Sequence, residues 1–492
     1  MLKNKIIGFA LTVLLVLTTP GCSFSGLSDN DLLQPPKATG EKAEIQNLIE
    51  SSTNGDYKLK YPQSGDYRSA IIMQDIDADG ENEAIALYKN TKDSSTINIM
   101  FMNKLGSKWA TIGSFSNGNS DVDRLYFGDV DNDGVNEIIV GWSSYLSGAG
   151  GNQITMYRCT NDTVSEVVVN ADTAYTDMVF MDITNDGIND LVVLTGAVET
   201  TGQGMAARLY SCCVNNVEFA LVSEIQMNPN IVSCSQIIQG YVKKNCNGIF
   251  IDGNTSNLNE QITQVIYYSS EKRSLINPLD ISQTDGGVKN ITQRSTASVC
   301  NDIDNDGVTE VPCSFVPTLY DDALTPCPIT KWYKIVSDDG KTTEVMQTVA
   351  SYFDGFYFIL PESWENKIVA VNENTSRTTT FYEIDKIVNE ELKATEEIIY
   401  DSTESVSTIG TQPAEQESKN NKMVVVTLEP VLTIKVFSAK DWKNEAATKL
   451  SEGYTVLEEE TDLVYTCKLG NSVNSEINLS TDQVSANFKL IN

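Results

Sequence analysis

The chain has 492 residues and a formal net charge of -32, with 67 acidic against 35 basic residues. This length accommodates two or more domains, and 41% hydrophobic residues favour a globular protein. The acidic excess argues against nucleic-acid binding, which needs a basic face. The sequence contains no histidine, which excludes His-based catalytic dyads and triads and His-ligated zinc sites.

The N-terminus has the pattern of a targeting segment. Lys3 and Lys5 precede an apolar run, 6–17, that is shorter than a usual membrane span. Gly21 then precedes Cys22, which resembles a bacterial lipobox, although its usual Leu is replaced by Thr19. The resemblance implies a lipoprotein signal peptide over residues 1–21 and a lipid anchor on Cys22 at the outer face of the cell membrane. A secreted protein in which this Cys is incidental is the alternative.

Residues 22–55 are predicted to be a tether. Their first part is rich in Ser, Gly and Asp and contains Pro35 and Pro36, as is typical of a flexible stalk. A short helix is predicted over residues 41–51, because its apolar residues fall on one side.

An acidic nine-residue pattern recurs from residue 56 to residue 350. Oxygen-bearing side chains stand at positions 1, 3, 5 and 9, and glycine stands at position 6. The four clear copies are residues 75–83, 129–137, 182–190 and 302–310. A fifth, worn copy at 252–260 has Asn257 at position 6. Recurrence at fixed offsets indicates a repeat architecture.

Short apolar runs on both sides of the loops predict strands. Further strands follow in each repeat, which gives about four strands per unit. Units of this kind predict the blades of a β-propeller, in which stacking supplies the core that one blade lacks. Five repeats favour five blades. Six or seven blades stay open, since further blades could lie in less regular stretches.

The loop chemistry favours calcium. Hard cations take several oxygen ligands, and calcium tolerates flexible geometry better than magnesium does. An EF-hand is excluded because it needs a bidentate Glu at position 12, and the clear copies carry Ala86, Val140, Val193 and Cys313 there. The alternative is an acidic turn without an ion, since Asp, Asn and Gly favour turns.

A loop whose last acid stands at position 9, not at position 12, resembles the FG-GAP or VCBS repeat of integrin-type β-propellers. The resemblance covers residues 56–350. The resemblance implies that side chains at positions 1, 3, 5 and 9 and the carbonyl at position 7 bind calcium. The residues so implied are Asp75, Asp77, Asp79, Glu81 and Glu83; Asp129, Asp131, Asp133, Val135 and Glu137; Asp182, Thr184, Asp186, Ile188 and Asp190; and Asp302, Asp304, Asp306, Val308 and Glu310. Thr184 replaces a carboxylate, so weaker binding is expected in its loop. Whether the worn copy binds calcium stays open.

The repeat pattern stops near residue 350. Residues 351–492 are predicted to form a smaller α+β domain with a polar linker at 389–422. A short helix is predicted over 441–450, and Ser480 with Gln483 predicts a capping box before a last helix. Nine cysteines remain if Cys22 is lipidated, and they are expected to be buried thiols or structural bridges.

Two functions are compatible with these features. The first is a cell-surface lipoprotein whose calcium-stabilised, mainly β propeller binds or scaffolds a protein, a peptide or a cell-wall polymer. The alternative is an extracytoplasmic hydrolase of glycans or peptides with the propeller as an accessory domain. The missing histidine and the absence of a nucleophile motif favour the first, non-enzymatic reading.

Overall fold

The computed structural model describes most of the chain after the predicted tether. The described residues are 40–92, 95–144, 152–167, 169–170, 174–196, 204–212, 219–256, 260–279, 281–282, 288–289, 292–294, 298–321, 323–389 and 422–491. The predicted signal peptide, Cys22, most of the tether and nearly all of the polar linker lie outside these residues. None of the described helices is long and apolar enough to cross a bilayer.

Antiparallel sheets dominate the fold, as the sequence predicts. The first three sheets follow one another along the chain, and each contains four strands joined in sequence order. Their strands are β1 (Tyr57–Leu59), β2 (Ile71–Gln74), β3 (Glu83–Asn90), β4 (Ile97–Leu105) and β5 (Lys108–Asn117) in sheet 1; β6 (Asp121–Gly128), β7 (Glu137–Ser143), β8 (Asn152–Thr160) and β9 (Thr163–Val167), with β11 (Ala174–Tyr175), in sheet 2; and β12 (Asp177–Met181), β13 (Asp190–Thr195), β14 (Ala206–Cys212) and β15 (Phe219–Gln226), with β10 (Val169–Asn170), in sheet 3.

Three further sheets follow. Their strands are β16 (Ile231–Lys243), β17 (Cys246–Thr255), β18 (Gln261–Ser269) and β19 (Ser274–Ile276) in sheet 4; β22 (Val311–Phe315), β23 (Ile329–Ile335), β24 (Thr342–Ser351), β25 (Phe356–Ile359) and β31 (Phe488–Leu490) in sheet 5; and β26 (Ile368–Glu373), β27 (Thr378–Asn389), β28 (Lys422–Ser438), β29 (Tyr454–Glu459) and β30 (Leu463–Leu469) in sheet 6. A separate hairpin consists of β20 (Ile281–Ser282) and β21 (Val288–Lys289). The helices are α1 (Glu41–Thr53), α2 (Ala439–Ser451) and α3 (Thr481–Asn487), with a 3₁₀ turn at Glu362–Trp364.

Each sheet shares a hydrophobic core with the next one along the chain. The cores combine Ile85 with Ile138 for sheets 1 and 2, Ile139 with Leu191 for sheets 2 and 3, Val192 with Ile249 for sheets 3 and 4, Phe250 with Val311 for sheets 4 and 5, and Phe358 with Phe381 for sheets 5 and 6. Side chains alternate across a strand, so one strand contributes to the cores on both of its faces. Burying both faces in this way makes each sheet depend on its neighbours, as expected of stacked repeats.

Helices cover the two outer faces of this row of sheets. Ile45 and Ile49 of α1 pack on Ala84 and Ala86 of β3, the face that points away from sheet 2. At the other end, Trp442 of α2 packs against sheet 6. Among the described residues, no core cluster joins sheet 1 to sheet 6. The predicted succession of antiparallel sheets is present, and four strands joined in sequence order recur in sheets 1 to 3. Whether the sheets are propeller blades, and how many blades there are, stays a prediction.

Sheet 5 extends across the expected domain boundary at residues 350 and 351. Strand β25 pairs with β24, and the C-terminal β31 pairs with β25. Phe488 stacks on Phe356 with ring centroids 5.2 Å apart. The predicted helices at 41–51 and 441–450 are present as α1 and α2, and Ser480 and Gln483 form the predicted capping box of α3.

The worn copy at 252–260 does not occupy the place of a repeat. The clear copies at 75–83, 129–137 and 182–190 join β2 to β3, β6 to β7 and β12 to β13, and the copy at 302–310 leads into β22, whereas Asp252 lies inside β17 and its segment leads to β18. The equivalent connection in sheet 4 is the tight turn Lys244–Asn245 between β16 and β17. The interpretation of 252–260 as a worn repeat is therefore wrong. Spacing and composition suggested a repeat, because this Asn-rich hairpin at the opposite end of sheet 4 carries oxygen-bearing side chains at the same positions.

Candidate metal centres in four acidic loops

Four acidic loops occupy the same place in four sheets. We call residues 75–83 loop 1, 129–137 loop 2, 182–190 loop 3 and 302–310 loop 4. The first three join β2 to β3 in sheet 1, β6 to β7 in sheet 2 and β12 to β13 in sheet 3. Loop 4 leads from Asn301, which bridges to Glu310, into β22. The strands fix both ends of each loop, so the loop side chains start from similar positions.

The four loops share one backbone conformation. In loop 2, Asp129 at position 1 accepts hydrogen bonds from the amides of Asp133 (3.1 Å) and Gly134 (2.7 Å), and Asp133 accepts one from Val135 (2.9 Å). Position 6 is glycine with φ between 88° and 91°, a left-handed conformation that favours glycine. Position 4 is also left-handed, occupied by Ala78, Asn132, Asn185 and Asn305. The first carboxylate thus organises each turn from within.

The acid at position 9 is buried in all four loops. Glu83, Glu137, Asp190 and Glu310 are each 0% exposed. One carboxylate oxygen of each glutamate accepts the amide proton of position 2, at distances of 2.8–3.0 Å. The other oxygen has no hydrogen-bond partner among the described residues, and the same holds for one oxygen of Asp190. A buried carboxylate oxygen without a donor is costly, so this oxygen indicates a site for a cation.

Burial also shifts the acidity of these groups. It raises the pKa of Glu83, Glu137 and Glu310 to about 7, and neighbouring loop carboxylates add to the shift. Burial raises the pKa of Asp190 as well. A cation between the carboxylates would favour their ionised forms and oppose this shift.

Carboxylate oxygens converge in three of the loops. Within the part of the chain that the structure describes, three acidic groups lie close enough to share an ion in loops 1, 2 and 4, with their oxygens within 4.8 Å of one another. Loop 3 differs because Thr184 replaces the carboxylate at position 3, and its hydroxyl donates to Asp190 at 2.8 Å. The donor set of clustered carboxylates fits a hard cation.

The predicted ligands are thus placed as follows. Those at positions 1, 3 and 9 converge in loops 1 and 2, and those at positions 1, 3 and 5 converge in loop 4. Binding of an ion by any of these residues, the participation of the position 7 carbonyls and the identity of the ion stay predictions.

Two loops also contact the next sheet. The amide of Asn136, next to the position 9 acid of loop 2, donates to the carbonyl of Asp75 in loop 1 at 3.2 Å. The amide nitrogen of Asn247 in sheet 4 donates to Asn185 in loop 3 at 3.0 Å, and its side chain donates to the carbonyl of Asp182. An ion that orders loop 1 or loop 3 would therefore also order a contact between sheets.

Two basic residues beside the loops were missed by the sequence analysis. Arg158 pairs with Asp131 of loop 2 at 2.7 Å, and Lys334 pairs with Asp304 of loop 4 at 2.7 Å. They lie 29 and 32 residues after the first residue of their loops. Counting from each loop to the second strand after it could have identified them, because Asn103 and Ser211 stand at the corresponding places in sheets 1 and 3.

Asp252, position 1 of the rejected worn copy, belongs to a different kind of site. Its carboxylate pairs with the guanidinium of Arg294 at 2.7 Å, and both side chains are almost fully buried. Thr263 donates to the same oxygen of Asp252 at 2.6 Å. A fixed cation of the chain thus neutralises this acid. Residues 257–259 of the segment lie outside the described residues.

The described cysteines form no disulfide. Cys159, Cys234, Cys246, Cys300, Cys327 and Cys467 are free thiols. Burial raises the pKa of Cys159 and Cys234 to about 12, which disfavours a reactive thiolate. Cys159, Cys300, Cys327 and Cys467 are buried, as expected of structural thiols, whereas Cys234 and Cys246 are half-buried.

Comparisons with known proteins find distant structural likeness only. No family model and no curated protein matches the chain. Solved structures that match include a hypothetical selenium-binding protein from Sulfolobus tokodaii (11% identity, 60% of this chain and 72% of that chain, TM-score 0.27). They also include the Dos1 propeller (9% identity, 63% and 65%, TM-score 0.25) and an exo-β-1,3-galactanase from Phanerochaete chrysosporium (11% identity, 68% and 71%, TM-score 0.23). The description of the fold therefore rests on the strand order and the shared cores.

Proposed function

We propose that this protein is a surface-anchored binding or scaffolding module whose stacked sheets are clamped by calcium ions in loops 1 to 4. The observation that carries the proposal is the buried acid at position 9. In each loop one oxygen of this acid is bonded within the loop, and the other has no partner among the described residues. Four recurrences of one arrangement favour a shared ligand over chance.

A structural role suits the position of the loops better than a catalytic one. Each loop lies where a strand enters its sheet, and loops 1 and 3 touch the next sheet through Asn136 and Asn247. A cation bound there would tie together two strands and would stabilise the contact between sheets. The repetition of the arrangement also favours a framework, because an active site needs one constellation and not four.

Calcium is proposed because of the ligand type and the expected location. Clustered carboxylates in flexible loops suit calcium, which accepts six to eight oxygens in variable geometry, whereas magnesium demands a near-ideal octahedron. Calcium modules outside the cell bind with dissociation constants of roughly 10⁻⁴–10⁻³ M. These loops, which resemble FG-GAP or VCBS repeats, would then fill where calcium is plentiful.

The anchor and the partner complete the proposal. The lipobox-like segment at Cys22 places the folded sheets outside the cell on a lipid anchor, and the six-sheet row presents a rigid surface to a protein, a peptide or a wall polymer. The anchor is tested by expressing wild type and C22A in a bacterial host. Metabolic labelling with a fatty acid should mark wild type only, and wild type alone should stay with the membranes. Equal labelling of both would refute the anchor.

The calcium clamp is tested by thermal melting of wild type and E137Q, with 10 mM calcium and with chelator. With these dissociation constants, 10 mM calcium adds about 1.4–2.7 kcal/mol to the free energy of unfolding for each filled site. Wild type should therefore melt several degrees higher in calcium, and E137Q should lose part of that gain. A matched control is E344Q, which removes an acid outside the loops. An identical melting temperature of wild type in calcium and in chelator would contradict the proposal.

A further inference from the structure

The residue that faces position 9 from the neighbouring strand differs among the loops. The strand pairing places Ala84 opposite Met102, Ile138 opposite Tyr157, Leu191 opposite Tyr210 and Val311 opposite Tyr333. One step further along each ladder, the position 9 acids meet Asn103 in sheet 1, Arg158 in sheet 2, Ser211 in sheet 3 and Lys334 in sheet 5. One equivalent position is thus neutral beside loops 1 and 3 and cationic beside loops 2 and 4.

In loop 2 the guanidinium of Arg158 lies among the carboxylates. It pairs with Asp131 at 2.7 Å, forms a short ion pair with Asp133, and approaches the unbonded oxygen of Glu137 at 3.6 Å. These acids stand at positions 3, 5 and 9. Arg158 therefore contacts three of the four carboxylates implied in ion binding.

Lys334 does the same in loop 4 with a different side chain. Its ammonium lies 2.7 Å from Asp304, 2.5 Å from Asp306 and 3.6 Å from Glu310. Positions 3, 5 and 9 are again the partners. Two unrelated cationic groups thus occupy one place, which makes an accidental surface pair a poor explanation.

Loops 1 and 3 have no such group. Asn103 donates to Asp162 at 2.9 Å and to Asp77 at 3.4 Å, so loop 1 gains a further carboxylate nearby and no positive charge. Within the described residues, no lysine or arginine forms an ion pair with a carboxylate of loop 1 or loop 3. Loop 1 thus holds four ligand carboxylates without a competitor, whereas loop 3 holds three.

The basic side chains do not complete the sites that they enter. Glu137 and Glu310 are 0% exposed, and each still has an oxygen without a hydrogen bond. Asp131 also keeps one such oxygen beside Arg158. A single positive charge therefore compensates the cluster in part and leaves buried acceptors directed into the loop. These acceptors indicate a second ligand that competes for the same carboxylates.

We propose that the side chains of Arg158 and Lys334 compete with a divalent cation for the carboxylates of loops 2 and 4. Each basic side chain must leave these carboxylates before an ion binds there. This inference rests on the proposed binding of calcium. Loop 1 then fills at the lowest calcium concentration, and loops 2 and 4 fill at higher concentrations. At low calcium the two basic side chains hold their loops together in place of the ion, so the sheets tighten in steps as calcium rises.

The test measures calcium binding by titration calorimetry on the full chain. R158N and K334N copy the neutral residue that sheet 1 carries, and each should tighten one weaker site by about tenfold or more, because a unit charge a few ångströms from the ion is removed. N103R should weaken the tightest site by a similar factor. The matched control is K331N, which lies on the same strand as Lys334 and loses a pair with Glu344 outside the loops. It should leave all sites unchanged.

Thermal melting separates competition from a merely structural role. With chelator, R158N should melt below wild type, because the tethered charge is lost. In saturating calcium the difference should vanish, since the ion replaces that charge. Equal losses in both conditions would mean a structural role only and would overturn the inference.

The two proposals fail in different ways. If wild type binds no calcium at all, the proposed clamp fails. If wild type binds calcium while R158N and K334N bind it as K331N does, the clamp stands and the tethered competition is refuted.

Discussion

The buried ion pair of Asp252 and Arg294 can be compared with the acids of the loops. Asp252 is neutralised by a side chain of the protein, whereas the loop acids are proposed to bind an ion. The perturbation is D252N, which removes the charge and keeps the shape. Arg294 is completely buried, and its guanidinium also donates to Thr263 (2.8 Å), to the carbonyl of Thr292 (3.0 Å) and to the carbonyl of Ser298 (2.7 Å and 3.0 Å). The charge of Arg294 would lose the one carboxylate that it pairs with among the described residues, while its other hydrogen bonds remain.

The expected cost follows from this geometry. Removing one partner of a buried ion pair typically costs about 3–5 kcal/mol, because the other charge stays in the interior. The remaining acceptors around Arg294 reduce the penalty, so we expect about 3 kcal/mol. Since the guanidinium of Arg294 already fills this site, the loss of unfolding free energy should be the same with calcium and with chelator.

The assay is denaturant unfolding of wild type, D252N and D129N in both conditions. D129N changes position 1 of loop 2 and serves as the contrast, because its loss should be larger in calcium than in chelator. A loss for D252N that disappears in chelator would refute the reasoning, since it would mean that Asp252 stabilises the protein through an ion.

Three further predictions concern contacts between sheets and at the ends of the row. Partial burial raises the pKa of Asp338, but its ion pair with Lys243 and its other hydrogen bonds outweigh burial and hold the pKa well below the usual range. D338N should therefore lower the free energy of unfolding by about 1–2 kcal/mol at pH 7. That stability is present above the unfolded pKa near 4 and is lost below it, so unfolding curves of the two proteins should converge in acid; a constant gap would contradict the assignment. I45A should lower the free energy of chemical unfolding by about 2–4 kcal/mol, because Ile45 packs on sheet 1 and is only 1% exposed. Gln46 is exposed, so Q46A should have almost no effect. Equal effects of the two variants would mean that α1 does not cover the sheet. F488A should lower the free energy of unfolding by about 3–5 kcal/mol and should lower the melting temperature of one calorimetric transition shared by sheets 5 and 6. A shift confined to one of two transitions would show that the two sheets unfold separately.

Local chemistry made the loops and their flanking strands predictable. Carboxylates at fixed offsets, glycine at position 6 and short apolar runs are all properties of a dozen neighbouring residues, and loops 1 to 4 have the common conformation that such residues favour. The capping box at Ser480 was predictable for the same reason. Burial of the position 9 acid follows from its place at the start of a buried strand.

Features that depend on distant pairing were not predictable in this way. Asp252 resembles position 1 of a loop, but Arg294, 42 residues later, decides its environment. The last strand, β31, returns to sheet 5 from the far end of the chain, so a boundary drawn where the repeats stop divides a sheet. Arg158 and Lys334 carry no motif of their own and acquire their role only through the register of the second strand after their loops.

Calcium binding by all four loops can be tested by counting the ions bound to each chain. The full chain is dialysed against buffer with millimolar calcium, and bound calcium is measured by elemental analysis relative to protein concentration. The account predicts four ions per chain, falling to three in a loop 1 variant that combines D75N and E83Q. A wild-type protein that retains no calcium at saturating concentration would contradict it.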